Sequence, residues 1–101
     1  MSKLTRDGDK LTIQPEQDIA GTKVDELKSE FKQALDEGVS QLVVDMAKIE
    51  MMDSMGIGLL IATHNSLSKK NQQLELINVS DDITKLLRLM RLDQHFLMNH
   101  N

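Results

Sequence analysis

The chain has 101 residues, 40% of them hydrophobic and 28% charged, proportions that fit one domain over residues 1–101 with a single modest core. A net charge of −4 and only two aromatic residues argue against nucleic acid as a partner, because such a surface needs a basic stripe and rings for base stacking. The lack of cysteine excludes thiol chemistry. No apolar run approaches the roughly 20 residues that span a bilayer, so we expect a cytoplasmic protein that does not insert into a membrane.

The first third of the chain predicts a β-hairpin followed by a helix. Residues 3–6 and 10–14 alternate apolar and polar side chains around the turn Asp7-Gly8-Asp9. From Thr22 to Glu37, apolar side chains recur at three- and four-residue steps, which is typical of an amphipathic helix. Gly38 follows at the position of a left-handed C-cap, so the helix is expected to end there.

The remainder predicts two further strand and helix pairs. Leu42–Met46 is an apolar run rich in β-branched residues, typical of a central strand that helices cover on both faces. A helix is predicted from about Gly56 to Lys70, then a strand over Leu74–Val79 and a helix capped by Ser80. The apolar stripe of this last helix consists of Ile83, Leu86, Leu87 and Met90. The predicted fold is α/β in the order ββαβαβα, with helices packed on a mixed sheet of four to five strands, parallel in the centre and antiparallel in the hairpin.

A distinctive run, Met51-Met52-Asp53-Ser54-Met55-Gly56-Ile57-Gly58, stands between the central strand and the second helix. It places the Ser54 hydroxyl at a helix N-terminus, where unpaired backbone N–H groups partly accommodate a phosphate. A phosphate on Ser54 would add about two negative charges to the surface, which favours a switch. The alternative is that Asp53 and Ser54 are ordinary N-cap residues.

Catalysis and metal binding find little support in the sequence. A nucleophile elbow around Ser54 needs glycines on both sides, and the position two residues before it is Met52. His64 falls on the apolar stripe of the second helix, which indicates a half-buried core position. His95 and His100 are five residues apart, a spacing that does not place them on one helical face, and no carboxylate pair completes a metal site. We therefore expect a protein that is not an enzyme and holds no metal or cofactor.

A family resemblance rests on the central run and on the strand and helix after it. Val43–Met46, Ile49 and Met52–Leu60 closely resemble the central signature of the STAS domain, the fold of bacterial anti-sigma factor antagonists. Leu74–Ser80 and the segment from Ile83 to Asp93 resemble that family's last core strand, its third helix and the short Leu-Asp turn after it. Together with the first helix, the resemblance covers nearly the whole chain.

The resemblance implies a protein-binding module of a bacterial partner-switching pathway. Ser54 matches the serine that, in such antagonists, is phosphorylated by an anti-sigma factor that is itself a serine kinase. The unphosphorylated module binds this kinase, phosphorylation releases it, and a metal-dependent serine phosphatase restores binding. Asp53, Ser54, Met55 and Gly56 are then expected to contact the partner. The alternative role is a constitutive STAS subunit of a lipid transporter or a sensory scaffold.

Three further residues carry open expectations. Many antagonists have a Gly-x-Leu-Asp sequence before the first helix, in a loop that contributes to partner contact. In this chain the corresponding segment, Gln14–Thr22, has a different register. Asp18 is expected to take the place of the family's Asp in partner binding. Met55 is expected to be the exposed methionine of the central run, the others filling the core beneath it. Asp45 ends the central strand, where it is either a solvated strand end or a ligand contact.

Overall fold

The computed structural model describes residues 2–16, 18 and 21–99. In that part of the chain the strands are β1 (Lys3–Asp7), β2 (Lys10–Gln14), β3 (Gln41–Asp45), β4 (Leu74–Ile77) and β5 (Leu97–Asn99). The helices are α1 (Lys23–Asp36), α2 (Ser54–Ser68) and α3 (Asp81–Leu89), and a 3₁₀ turn at Leu92–Gln94 precedes β5.

The strands form a mixed sheet whose spatial order, β1-β2-β3-β4-β5, repeats the order along the chain. The opening hairpin pairs β1 with β2 antiparallel, and each later strand is parallel to the one before it. The register aligns Leu11 with Leu42 and Leu42 with Leu74, so equivalent side chains of neighbouring strands point to the same face. The predicted fold class is confirmed, and β5 extends the expected ββαβαβα order by one short strand.

The core lies on one face of the sheet. Leu42 and Val44 belong to the same cluster as buried side chains from all three helices, such as Phe31, Leu60 and Leu87. The prediction that helices cover β3 on both faces is wrong. The strand order increases in one direction, and right-handed crossovers then place every connecting helix on the same side.

The opposite face of the sheet is more polar. Val43 is only 1% exposed there, although its neighbours across the sheet are Thr12 and Glu75, which are half-buried. A hydrogen bond of 2.9 Å from Gln41 Nε2 to a Glu75 carboxylate oxygen joins β3 to β4 on this side. The run of buried residues in β3 therefore reflects its central position between β2 and β4, not a second layer of helices.

Two helix boundaries differ from the sequence prediction. α2 begins at Ser54, two residues before the predicted start, because the Asp53 side chain caps it. α3 ends at Leu89, and Met90 is its C-cap residue with 47% of its surface exposed, so Met90 does not belong to the buried stripe. Gly38 takes a φ of +76° after α1, as its predicted capping position requires.

Candidate partner-binding site

Ser54 is the first residue of α2 and is exposed to solvent. The preceding Asp53 has an extended backbone and acts as the N-cap, its Oδ1 accepting a hydrogen bond of 2.9 Å from the Gly56 N–H. The capping interpretation of Asp53 is therefore correct. Because Asp53 is the cap, the Ser54 hydroxyl stays exposed at the positive end of a 15-residue helix. Capping by Asp53 and a phosphorylation switch at Ser54 are therefore compatible.

The second carboxylate oxygen of Asp53 connects α2 to the loop before α1. Asp53 Oδ2 accepts a hydrogen bond of 3.1 Å from the Gly21 N–H. Hydrogen bonds from the backbone N–H groups, first that of Gly56 and then that of Gly21, hold the pKa of Asp53 below its usual value. Asp53 is thus a fixed negative charge next to the Ser54 hydroxyl.

Asp18 supports the segment that leads into the site. Its Oδ1 accepts hydrogen bonds from the backbone N–H groups of Glu50, at 2.8 Å, and Met51, at 3.3 Å. The structure thus places Asp18 beside the central run, where this oxygen binds backbone N–H groups of the chain itself. A contact between Asp18 and a partner stays a prediction. Gln17, Ile19 and Ala20, which belong to the same predicted loop, lie outside the described residues.

Two methionines flank Ser54 on the surface. Met55 is 56% exposed and Met51 is 69% exposed. Met52 is half-buried and packs against the core cluster. The exposure of Met55 is confirmed, whereas Met51 proves to be a second exposed thioether. We call Met51, Ser54 and Met55 the Ser54 surface.

Gly56 occupies a different position from the Ser54 surface. It is buried within the first turn of α2, and its N–H donates to Asp53. Any contribution of Gly56 to a partner contact therefore acts through the shape of this turn.

Asp45 is the residue whose role sequence reasoning missed. Its Oδ1 accepts from Asn78 Nδ2 and from the Ala47 N–H, and its Oδ2 accepts from Gln14 Nε2, each at 3.0 Å. One carboxylate thereby joins the ends of β2 and β3 to the residue after β4, at the edge of the sheet that leads into the Ser54 surface. The signal available in the sequence was the placement of Asp45 and Asn78 at the ends of two successive parallel strands.

The histidines do not assemble with Ser54. His64 is buried in α2 and packs edge-on against the rings of His95 and Phe96, with centroids 6.0 Å and 5.4 Å away. His100 lies outside the described residues. Among the residues that are described, no group of three or more His, Cys, Asp or Glu side chains could hold a metal ion. In the same residues, no helix is long and apolar enough to cross a membrane.

Comparison with known proteins identifies the family. The family model of the STAS domain matches residues 2–101. The chain belongs to the STAS domain family. Among curated proteins, this STAS domain is similar to the anti-sigma-B factor antagonist of Staphylococcus epidermidis, with 31% identity over 77 residues, 70% of this chain and 71% of the relative.

The Staphylococcus aureus relatives match over a shorter stretch. The anti-sigma-B factor antagonist of strain NCTC 8325 / PS 47 is 29% identical over 66 residues, which are 65% of this chain. The chain spans 61% of that relative's length.

Solved structures share the fold at low sequence identity. A crystal structure from Thermotoga maritima superposes with a TM-score of 0.91 at 16% identity, covering 99% of this chain and 86% of the other. The anti-sigma factor antagonist SpoIIAA in its unphosphorylated form gives 0.84 at 17% identity, covering 100% of this chain and 88% of the other. The phosphorylated form of the Bacillus protein SpoIIAA gives 0.77 at 19% identity, covering 100% of this chain and 91% of the other. These superpositions establish the same fold for this STAS domain.

Proposed function

We propose that this STAS domain is an anti-sigma factor antagonist, a cytoplasmic binding module without catalytic activity that is switched by phosphorylation of Ser54. The observation that carries the proposal is the Ser54 surface itself: an exposed hydroxyl at the first residue of α2, between two exposed methionines and next to the ionised Asp53. The proposal takes residues 1–101 as one STAS domain.

The unphosphorylated surface is suited to binding. Met51 and Met55 offer flexible, polarizable side chains that adapt to the shape of a partner. α2 contains no Asp, Glu, Lys or Arg from Ser54 to Ser68, so a partner that covers its exposed side need not desolvate a charge. Asp18 accepts a hydrogen bond from the Glu50 N–H, and Asp53 accepts one from the Gly56 N–H. These bonds hold the segments on either side of Met51 in place, which reduces the entropy lost on association.

Phosphorylation changes the charge of this surface while leaving its scaffold intact. A phosphoserine carries about −1.5 to −2 charges at neutral pH. The α2 N-terminus accommodates part of that charge, so the modified domain remains folded. A partner that covers Ser54 would have to desolvate the phosphate beside the negative charge of Asp53, and this opposes binding.

The partners follow from this chemistry and from the family. The proposed binding partner is an anti-sigma factor that is also a serine kinase, and a metal-dependent serine phosphatase would reset the switch. The names of the staphylococcal relatives support an anti-sigma factor as the binding partner, and the solved phosphorylated form of SpoIIAA supports a modification in this fold. Nucleotide and metal belong to the partner enzymes in this proposal, so the STAS domain itself supplies only the acceptor hydroxyl and its surface.

A comparison of three variants tests the switch. The Ser54→Ala variant keeps the surface uncharged, whereas Ser54→Asp adds one negative charge at the acceptor position. Ser66→Asp adds the same charge at an exposed position of α2 that lies roughly 18 Å farther along the helix axis. Each variant is titrated by calorimetry with the anti-sigma factor kinase of the same organism.

The expected order of affinity distinguishes a phosphorylation switch from a constitutive binding subunit. A charge that costs about 3 kcal/mol at the interface weakens binding more than a hundredfold, so Ser54→Asp is expected to lose measurable affinity. Ser54→Ala and Ser66→Asp are expected to bind within about threefold of the unmodified chain. Equal binding by Ser54→Ala and Ser54→Asp would contradict the switch and indicate a constitutive subunit of a transporter or scaffold.

A further inference from the structure

β1 is an edge strand whose outer side is open. It lies at one end of the strand order and pairs with β2, so its outward backbone N–H and C=O groups face no other strand of the described chain. All five of its side chains are exposed. Open edges of this kind are templates for pairing with a strand of another molecule. We call Lys3–Asp7 the β1 edge.

The register with β2 assigns each side chain of β1 to a face of the sheet. Leu4 stands opposite Ile13 of the core cluster, so Leu4 lies on the face that carries the helices. It is nevertheless 56% exposed, because of its position at the edge of the sheet. Lys3, Thr5 and Asp7 lie on the opposite face, since side chains alternate along a strand.

The charges of the β1 edge complement those of a second copy of the same strand. When two β1 strands run antiparallel with Thr5 opposite Thr5, Lys3 of each copy stands opposite Asp7 of the other. Opposite charges that face each other across an antiparallel pair stabilise it, whereas like charges destabilise it. A two-fold axis at Thr5 therefore creates two stabilising Lys–Asp pairs.

Other antiparallel registers lack this match. A pair centred on Leu4 places Lys3 opposite Thr5, and a pair centred on Arg6 places two arginines opposite each other. The pair centred on Thr5 also brings the two Leu4 side chains into diagonal positions, roughly 7–8 Å apart and within reach of each other. The exposed apolar side chain of the β1 edge thus gains an apolar neighbour in the same register that pairs the charges.

The remaining charge of the β1 edge is compensated within the chain. Arg6 Nε donates a hydrogen bond of 3.1 Å to the Gly8 carbonyl. A second nitrogen of the same guanidinium lies 3.6 Å from a carboxylate oxygen of Glu37, at the end of α1. Arg6 therefore adds no uncompensated charge when it stands opposite Leu4 of a second copy.

We propose that the β1 edge is a homodimer interface, at which two copies of this chain associate by antiparallel pairing of β1 around a two-fold axis at Thr5. The two sheets join into one continuous sheet, with the helices of both copies on the same side. The pairing covers one short strand of each copy, so the dimer is expected to be weak, with a Kd on the order of 0.1–1 mM.

The interface does not involve the Ser54 surface. α2 connects β3 to β4, and β2 and β3 separate β1 from β4 in the sheet. The proposal is therefore independent of the switch, and Ser54→Asp is expected to dimerise as the unmodified chain does.

Sedimentation equilibrium of the full chain up to about 1 mM, at low ionic strength so that exposed charge pairs are not screened, measures the association. Lys3→Asp and Asp7→Lys each turn both Lys–Asp pairs into like-charge pairs, and each is expected to weaken dimerisation about tenfold or more. An equimolar mixture of these two variants restores the opposite charges and is expected to regain dimers. Lys85→Asp, at an exposed position of α3, has the same net charge as Lys3→Asp and is expected to dimerise normally.

A cross-link tests the register without changing a charge. The chain has no cysteine, so Thr5→Cys introduces a single thiol. Directly opposite residues of an antiparallel pair have Cα atoms roughly 4.5–5.5 Å apart, which suits a disulfide. With oxidised glutathione as the oxidant, two such thiols become one disulfide and glutathione is reduced. Thr5→Cys is expected to cross-link at least about tenfold faster than Leu97→Cys, which is exposed on β5 at the other edge.

Several outcomes would overturn the proposal. A chain that stays monomeric at the highest concentration has no such interface, and its β1 edge would be open to a strand of a different protein. Equal association of the unmodified chain, Lys3→Asp and Asp7→Lys would place the interface elsewhere, as would a mixture of the two variants that forms no more dimer than either one alone. Equal rates of cross-linking by Thr5→Cys and Leu97→Cys would refute the register.

Discussion

The Asp45 carboxylate offers the sharpest test of how the sheet edge below the Ser54 surface is held together. Asp45→Ala removes the acceptor of three hydrogen bonds at once, those from Gln14, Ala47 and Asn78. Each such bond contributes a net of about 0.5–1.5 kcal/mol to stability. Because Asp45 is half-buried, its former donors regain some water, and we expect a total loss of about 2–3 kcal/mol in the free energy of unfolding.

The expected effect is large enough to measure by two methods. For a domain of this size, about 1 kcal/mol shifts Tm by roughly 4–8 °C, so Asp45→Ala is expected to lower Tm by roughly 10–20 °C. Urea unfolding should show a lower midpoint with an unchanged slope. Asp45→Asn retains one acceptor oxygen of the same geometry. It is expected to lose only about 1 kcal/mol, since the bond from Gln14 to Oδ2 is the one it cannot accept.

Asp36→Ala is the matched control, because Asp36 is exposed at the end of α1. Its effect is expected to stay within about 0.5 kcal/mol, as for most exposed positions. If Asp45→Ala destabilised the chain no more than Asp36→Ala, Asp45 would be a solvated strand end and the argument for a connecting carboxylate would be refuted.

Three further predictions rest on named contacts. Because the pKa of His64 is lowered in the folded chain, the unfolded chain binds more protons at acidic pH. The free energy of unfolding should therefore fall as the pH drops below about 6.5, which a pH series of urea titrations measures. Ser80→Ala should cost about 1 kcal/mol in urea unfolding, because the Ser80 hydroxyl oxygen caps α3 by accepting an N–H in its first turn. Hydrogen peroxide, which transfers one oxygen atom to a thioether and leaves water, should oxidise Met51 and Met55 well before the fully buried Met46, as followed by peptide mass spectrometry.

Each of these predictions has its own control. The part of the acid sensitivity that belongs to His64 should be absent from His64→Leu, and an unchanged pH dependence in that variant would show that other groups are responsible. Ser29→Ala, at an exposed serine in the interior of α1, should not destabilise the chain as Ser80→Ala does. Oxidation of Met46 at the same rate as Met55 would contradict the buried position of Met46.

Most of the fold follows from patterns that a sequence displays directly. The alternating hairpin, the stripe of α1 and the cap at Ser80 each depend on neighbours in the chain, and the structure has them where they were predicted. The placement of Ser54 at the start of α2 and the exposure of Met55 also follow from the local pattern around Asp53.

The features that were missed depend on contacts between distant segments. Val43 is buried because side chains of neighbouring strands shield it on the second face of the sheet. The sequence of β3 alone does not distinguish this arrangement from a strand that helices cover on both faces. The three partners of Asp45 come together only once the parallel register is known. Met90 continues the helical period of α3, but the helix ends before it and the side chain is left exposed.

The central claim, that Ser54 is the switch, is tested most directly by intact-mass and phosphopeptide analysis of the protein purified from its native cells under two growth conditions, with Ser54→Ala as the control. The account predicts one phosphate at Ser54 whose occupancy changes with the condition and which is absent from Ser54→Ala. An unmodified Ser54 in every condition would contradict it and favour a constitutive binding subunit.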